Sequence, residues 1–116
     1  MIPDQMRQAQ ALLYRNWQAG TQIAALPPHL TPADRAEAYR VQAEIEAYSR
    51  RPLFGWKIAA TSIAGHRHIG VDGPLAGRIL EERVIPDGGV CPLGNNLMKV
   101  AEPEFVFRMK QDRPPR

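Results

Sequence analysis

Met6, Ala9, Leu13 and Trp17 recur at three- and four-residue intervals, which places them on one face of a helix and predicts α-helix over Pro3–Ala19, stopped by Gly20. The next segment, TQIAALPPHL, carries adjacent prolines and reads as a loop. Helix resumes in TPADRAEAYRVQAEIEAYSR, with Thr31 as N-cap, Pro32 at the first helical position and Asp34 three residues after the cap. Its apolar positions form two adjoining stripes, Ala36, Tyr39, Ala43 and Ala47 beside Val41, Ile45 and Tyr48. Both tyrosines read as core packing on that pattern.

Beyond Pro52 the period changes to two: Phe54, Trp56 and Ile58 alternate with Gly55, Lys57 and Ala59, the signature of a strand. Lys57 is flanked on its own face by small residues, so its ammonium either snorkels outward or points into a cleft; the pattern alone favours outward. TSIAGHRHIGVDGPLAGRIL predicts a short helix capped by Thr61 or Ser62, a turn at VDGP and a strand near GRIL. His66 and His68 are two apart, a spacing that brings ligands together on a strand rather than a helix, so they read as surface or supporting histidines. VIPDGGVCPLGNN is turn-rich, and a last strand is expected over Leu97–Met109.

These elements predict an α+β chain, with two N-terminal helices packed on a mixed or antiparallel sheet. A chain of 116 residues suits one domain, 1–116, helical over 1–50 and β-rich over 53–110. With 44% hydrophobic and 23% charged residues the composition is that of a folded domain. Neither a membrane-spanning apolar run nor the apolar core of a signal peptide is present, and Cys91 is the single cysteine, so a cytoplasmic, membrane-free location is expected. The net charge of +3 comes from scattered arginines without interleaved aromatics, which argues against a nucleic-acid partner.

The segment KVAEPEFVFRMKQD holds the most pointed chemistry. In a strand, Glu102 and Glu104 share one face while Pro103, Phe105 and Phe107 share the other. Two carboxylates so close disfavour each other's ionisation unless solvent or a cation intervenes. A hard divalent cation such as Mg²⁺ suits them, but spacing alone favours a plain solvated face.

The ordered set GWKIAATS, HIGVDGPLAGRIL and VAEPEFVFRMKQD, preceded by AYRVQ, resembles the N-terminal half of the 2-keto-4-pentenoate hydratase family. That family sits within the fumarylacetoacetate hydrolase superfamily, beside the 4-oxalocrotonate decarboxylases. The resemblance implies a truncated part of a fumarylacetoacetate hydrolase-like fold, with Lys57 as an active-site lysine and Glu102 and Glu104 as ligands of Mg²⁺ or Mn²⁺. It implies a lyase that adds water to a small-molecule 2-hydroxy-dienoate or 2-oxo-enoate in aromatic-compound catabolism. It also implies a homo-oligomer or association with a full-length relative. Ala59 stands where the family's lysine motif usually ends in glycine. A third metal-binding carboxylate belongs to the family's other half, so this half-length chain is expected to be weakly active or inactive, and prone to self-association through Phe105 and Phe107. The alternative is a non-catalytic remnant or partner subunit of a full-length hydratase or decarboxylase; a small basic interaction domain of only ancestral resemblance is a third reading.

Overall fold

The computed structural model describes residues 1–112; the domain assignment 1–116 therefore runs four residues beyond the described ones. Helix α1 spans Pro3–Ala19, as the periodicity predicts, and ends where Gly20 takes up φ 63°. The left-handed turn at Gly20 lets its N–H and that of Thr21 reach the last carbonyls of the helix. A 3₁₀ turn, Pro28–Leu30, leads to α2, Arg35–Ala43, which tightens into 3₁₀ geometry over Glu44–Tyr48.

The start of α2 differs from the sequence expectation. Asp34, not Thr31, is the N-cap: its Oδ1 accepts from the Glu37 N–H at 2.7 Å. Thr31 instead donates its hydroxyl back to the carbonyls of Pro27 (3.1 Å) and Leu26 (3.4 Å), so it closes the preceding turn. Helices α1 and α2 bury Met6, Ala9 and Val41 together with Leu30 from the connecting turn, and this small cluster is the core. Leu13 and Trp17, expected on the buried face of α1, are exposed. Tyr48, expected in the core, is exposed as well and stacks on Tyr14 with ring centroids 4.1 Å apart.

Strands β1, Leu53–Ala59, and β2, Leu75–Leu80, form a two-stranded antiparallel sheet. The short helix α3, Ile63–Ile69, joins them, capped by Ser62, whose hydroxyl accepts from the Gly65 N–H. Lys57 pairs with Gly77, flanked by the pairs Trp56–Arg78 and Ile58–Ala76. The register slips by one residue between Leu53 and Gly55, a bulge that bends the strand at Phe54. Ala60 follows with φ 53°, a conformation that strains a side-chain-bearing residue. Gly65 permits this turn to pack against α3, since a Cβ there would lie 3.1 Å from Ala60 Cα.

The third expected strand does not form. Residues 84–112 contain neither helix nor strand, and the Leu97–Met109 segment crosses the surface without a ladder partner among the described residues. Phe105 is 96% and Phe107 86% exposed. Alternation of apolar and polar residues proposes a strand, but a strand exists only where another backbone satisfies its N–H and C=O groups. No helix among the described residues is long and apolar enough to cross a membrane.

Candidate active site

Lys57 sits near the centre of β1, on the face it shares with Gly55 and Ala59 and opposite Gly77. The small neighbours leave room for its four-carbon stem. This face is the more covered one: Lys57 is half-buried, whereas Phe54, Trp56 and Ile58 are exposed. The Lys57 side chain keeps 38% of its exposure, so its ammonium lies at the surface, as the strand pattern favours, and meets the acidic segment there. Hydrophobic alternation marks which residues share a face, but the covering of that face is decided by what packs on the sheet, and among the described residues the acidic segment supplies the partners of Lys57.

The Lys57 Nζ lies 3.1 Å from a Glu102 carboxylate oxygen and closer still to Glu104, which accepts a hydrogen bond from it. A further contact of 3.4 Å reaches the carbonyl of Ile58. The Glu104 hydrogen bond, then that of Glu102, holds the Lys57 ammonium above the ordinary lysine range. All three side chains remain in contact with solvent. The structure thus brings together the three site residues singled out in the sequence, across 47 positions between Lys57 and Glu104.

The donor set can be tested against a divalent cation on the same geometry. Two carboxylates converge on one positively charged atom, and hard oxygen donors of this kind suit Mg²⁺ or Mn²⁺. Among the described residues no group of three or more His, Cys, Asp or Glu gathers to hold a metal ion. Glu102 and Glu104 accordingly fit as two donors of a larger set. His66 and His68 lie on α3 and do not extend it; His66 is half-buried and its Nε2 makes no hydrogen bond.

Tyr39, which the sequence pattern assigned to core packing, proves to be a polar strut, with Gln42 beside it. Tyr39 accepts the Ala76 N–H at 3.0 Å, and Gln42 donates to the Ala76 carbonyl at 3.2 Å. Both belong to the AYRVQ segment, and their three-residue spacing on a helix was the one signal that could have paired them.

Over 108 residues, 90% of this chain, it is 33% identical to a protein named 2-keto-4-pentenoate hydratase 1 from Dechloromonas aromatica (strain RCB), covering 41% of that protein. It is 29% identical over 116 residues to 2-keto-4-pentenoate hydratase of Paraburkholderia xenovorans (strain LB400), covering 43% of it. The protein named TodF product hydratase from Pseudomonas putida is 27% identical over 110 residues. The chain thus spans well under two thirds of the length of these relatives. No family model matches the chain, and no solved structure does.

Proposed function

We propose that this chain, a homologue of the 2-keto-4-pentenoate hydratases over nearly its whole length, carries the lysine and two of the metal ligands of a hydratase site. The reaction is addition of water to a 2-hydroxy-dienoate or 2-oxo-enoate derived from aromatic-compound catabolism. The observation that carries this reading is the convergence of Lys57, Glu102 and Glu104, from β1 and from a distant irregular segment, on one point.

Glu102 and Glu104 would hold Mg²⁺ or Mn²⁺, together with donors outside this set. A divalent cation there supplies Lewis acidity at the 2-oxo oxygen of the substrate, where negative charge develops. The Lys57 ammonium contributes a second positive charge on the same side. Through Nζ it donates a hydrogen bond, or a proton, to that developing oxyanion. The two glutamates hold Nζ in place before substrate arrives, so little reorganisation is needed at the moment of reaction.

Two carboxylates give an open, weakly held metal site, and hydration by the 116-residue chain alone is expected to be slow or absent. Binding is read by electron paramagnetic resonance of Mn²⁺ titrated into the chain. Glu102→Gln and Glu104→Gln should each weaken it, and unchanged binding in both would remove the glutamates from the site. Turnover is read by loss of the dienol absorbance. Lys57→Met should abolish whatever Mg²⁺-dependent turnover exists while Mn²⁺ binding persists, and equal turnover by the variant would exclude the lysine. Robust hydration by the isolated chain would overturn the two-donor reading.

A second reading is favoured by the exposure of Phe105, Val106 and Phe107 next to the site. In it the chain is a non-catalytic partner that docks this segment on a full-length hydratase or decarboxylase. Saturable binding to such a relative, without added turnover, distinguishes it.

A further inference from the structure

The sheet that presents Lys57 has only two strands, and an isolated hairpin is marginal in water. Helix α2 supplies what a third strand would supply. Tyr39 Oη accepts the Ala76 N–H at 3.0 Å and Gln42 Nε2 donates to the Ala76 carbonyl at 3.2 Å, so both backbone groups of one β2 residue are engaged by two side chains one helical turn apart.

Register makes this contact specific. With both Ala76 groups turned to α2, the Ile58–Ala76 pair is one of the pairs that exchange no ladder bonds, and the adjacent Lys57–Gly77 pair is one that does. On the other side of Lys57, the Trp56–Arg78 pair is held by the same helix. Arg78 donates from Nη1 to Gln42 Oε1 at 3.1 Å and from Nε to Glu46 at 2.5 Å, and its guanidinium lies 4.6 Å over the Trp56 ring. Gln42 therefore bridges the two β2 residues that flank the partner of Lys57. A one-residue slip of β2 would break every one of these contacts, and a one-residue slip of β1 would turn Lys57 to the opposite face.

We propose that Tyr39 and Gln42 are positioning residues for Lys57: by clamping Ala76 they hold the β1–β2 register that aims the ammonium at Glu102 and Glu104. The assignment deepens the reading of Lys57 as the site lysine, but it is testable whether or not the chain turns over any substrate.

The measurement is competitive acylation of the folded 116-residue chain with a lysine-directed reagent, followed by mass spectrometry. Lys99 and Lys110, the other lysines of the chain, are internal references. Hydrogen exchange at the Lys57 and Gly77 amides is read alongside. Tyr39→Phe removes the acceptor, and Gln42→Glu removes the donor to Ala76 while retaining an acceptor for Arg78. Each should raise Lys57 labelling relative to the references, and Lys57 and Gly77 exchange, by about five- to tenfold, the worth of one hydrogen bond. Gly20→Ala, which strains the left-handed end of α1 where an added Cβ meets nothing within 4 Å, should leave Lys57 at its wild-type reactivity. Wild-type labelling and exchange in both clamp variants would overturn the proposal. So would an equal rise in Gly20→Ala, since Lys57 would then report only general loosening. If the hydratase reading fails while the clamp variants respond as expected, positioning stands and only the chemistry assigned to Lys57 falls.

Discussion

Truncation of Val41 to alanine tests the structure where its core is smallest. Val41 is 3% exposed and packs with Met6, Ala9 and Leu30 between the two long helical segments. The change deletes two methyl-sized groups, worth about 1.6 kcal/mol in transfer free energy at roughly 0.8 each. A residual cavity of roughly 25 Å³, at ~24 cal/mol per Å³, adds about 0.6 kcal/mol. The expected loss is about 2 kcal/mol, or a fall in Tm on the order of 8 °C for a chain of this size. Urea unfolding followed by tryptophan fluorescence reads it as a lower midpoint at unchanged slope. Val90 offers the control, because it is 84% exposed and the same substitution there should stay within about 0.5 kcal/mol. Equal losses at the two positions would refute the assignment of the core. A stable Val41→Ala protein would do the same.

Other expectations follow from single contacts. Asp34→Ala removes the acceptor that caps α2 and should cost about 1 kcal/mol, with Asp34→Asn retaining most of it, both measured by thermal unfolding. Ala60→Gly relieves a left-handed turn and should leave stability unchanged or raise it by up to about 1 kcal/mol; a clear loss would mean that the turn is not left-handed in solution. The Glu82 carboxylate accepts the Arg50 N–H at 2.9 Å and the Ser49 hydroxyl, and the Arg50 bond foremost holds its pKa below the ordinary 4.5. Its contribution is complete above the unfolded-state pKa and is lost as pH falls from about 4.5 through the lowered folded value, so Glu82→Gln should show a flatter acid-side loss of stability than wild type. Phe105→Ser with Phe107→Ser removes two almost fully exposed rings and should reduce concentration-dependent association in sedimentation velocity; unchanged association would place the contact elsewhere.

The local elements were legible in the residues because their causes are local. Period 3.6 with a terminal glycine bounds α1 as Pro3–Ala19, period two marks β1, and Ser62 caps α3. Strand spacing put Glu102 and Glu104 on one face, while Lys57 stood out as a site lysine only through the family resemblance of GWKIAATS. The cap of α2 was misplaced because Thr31, Pro32 and Asp34 all satisfy helix-start chemistry, and only the path of the preceding turn leaves Thr31 bonded backward to Pro27.

Tertiary structure decided the rest. Whether Leu97–Met109 is a strand depends on a second backbone to pair with, and no residue within the segment encodes the presence of that partner. Which groups meet a face of β1 depends on what lies across it, and only the path of the acidic segment brings Glu102 and Glu104 to the Lys57 ammonium. The meeting of Lys57 with Glu104, and of Tyr39 and Gln42 with Ala76, joins residues 47, 37 and 34 positions apart. Periodicity reports the environment of a residue within its own element, while a site is made where elements cross, and crossing is set by the packing of the whole chain.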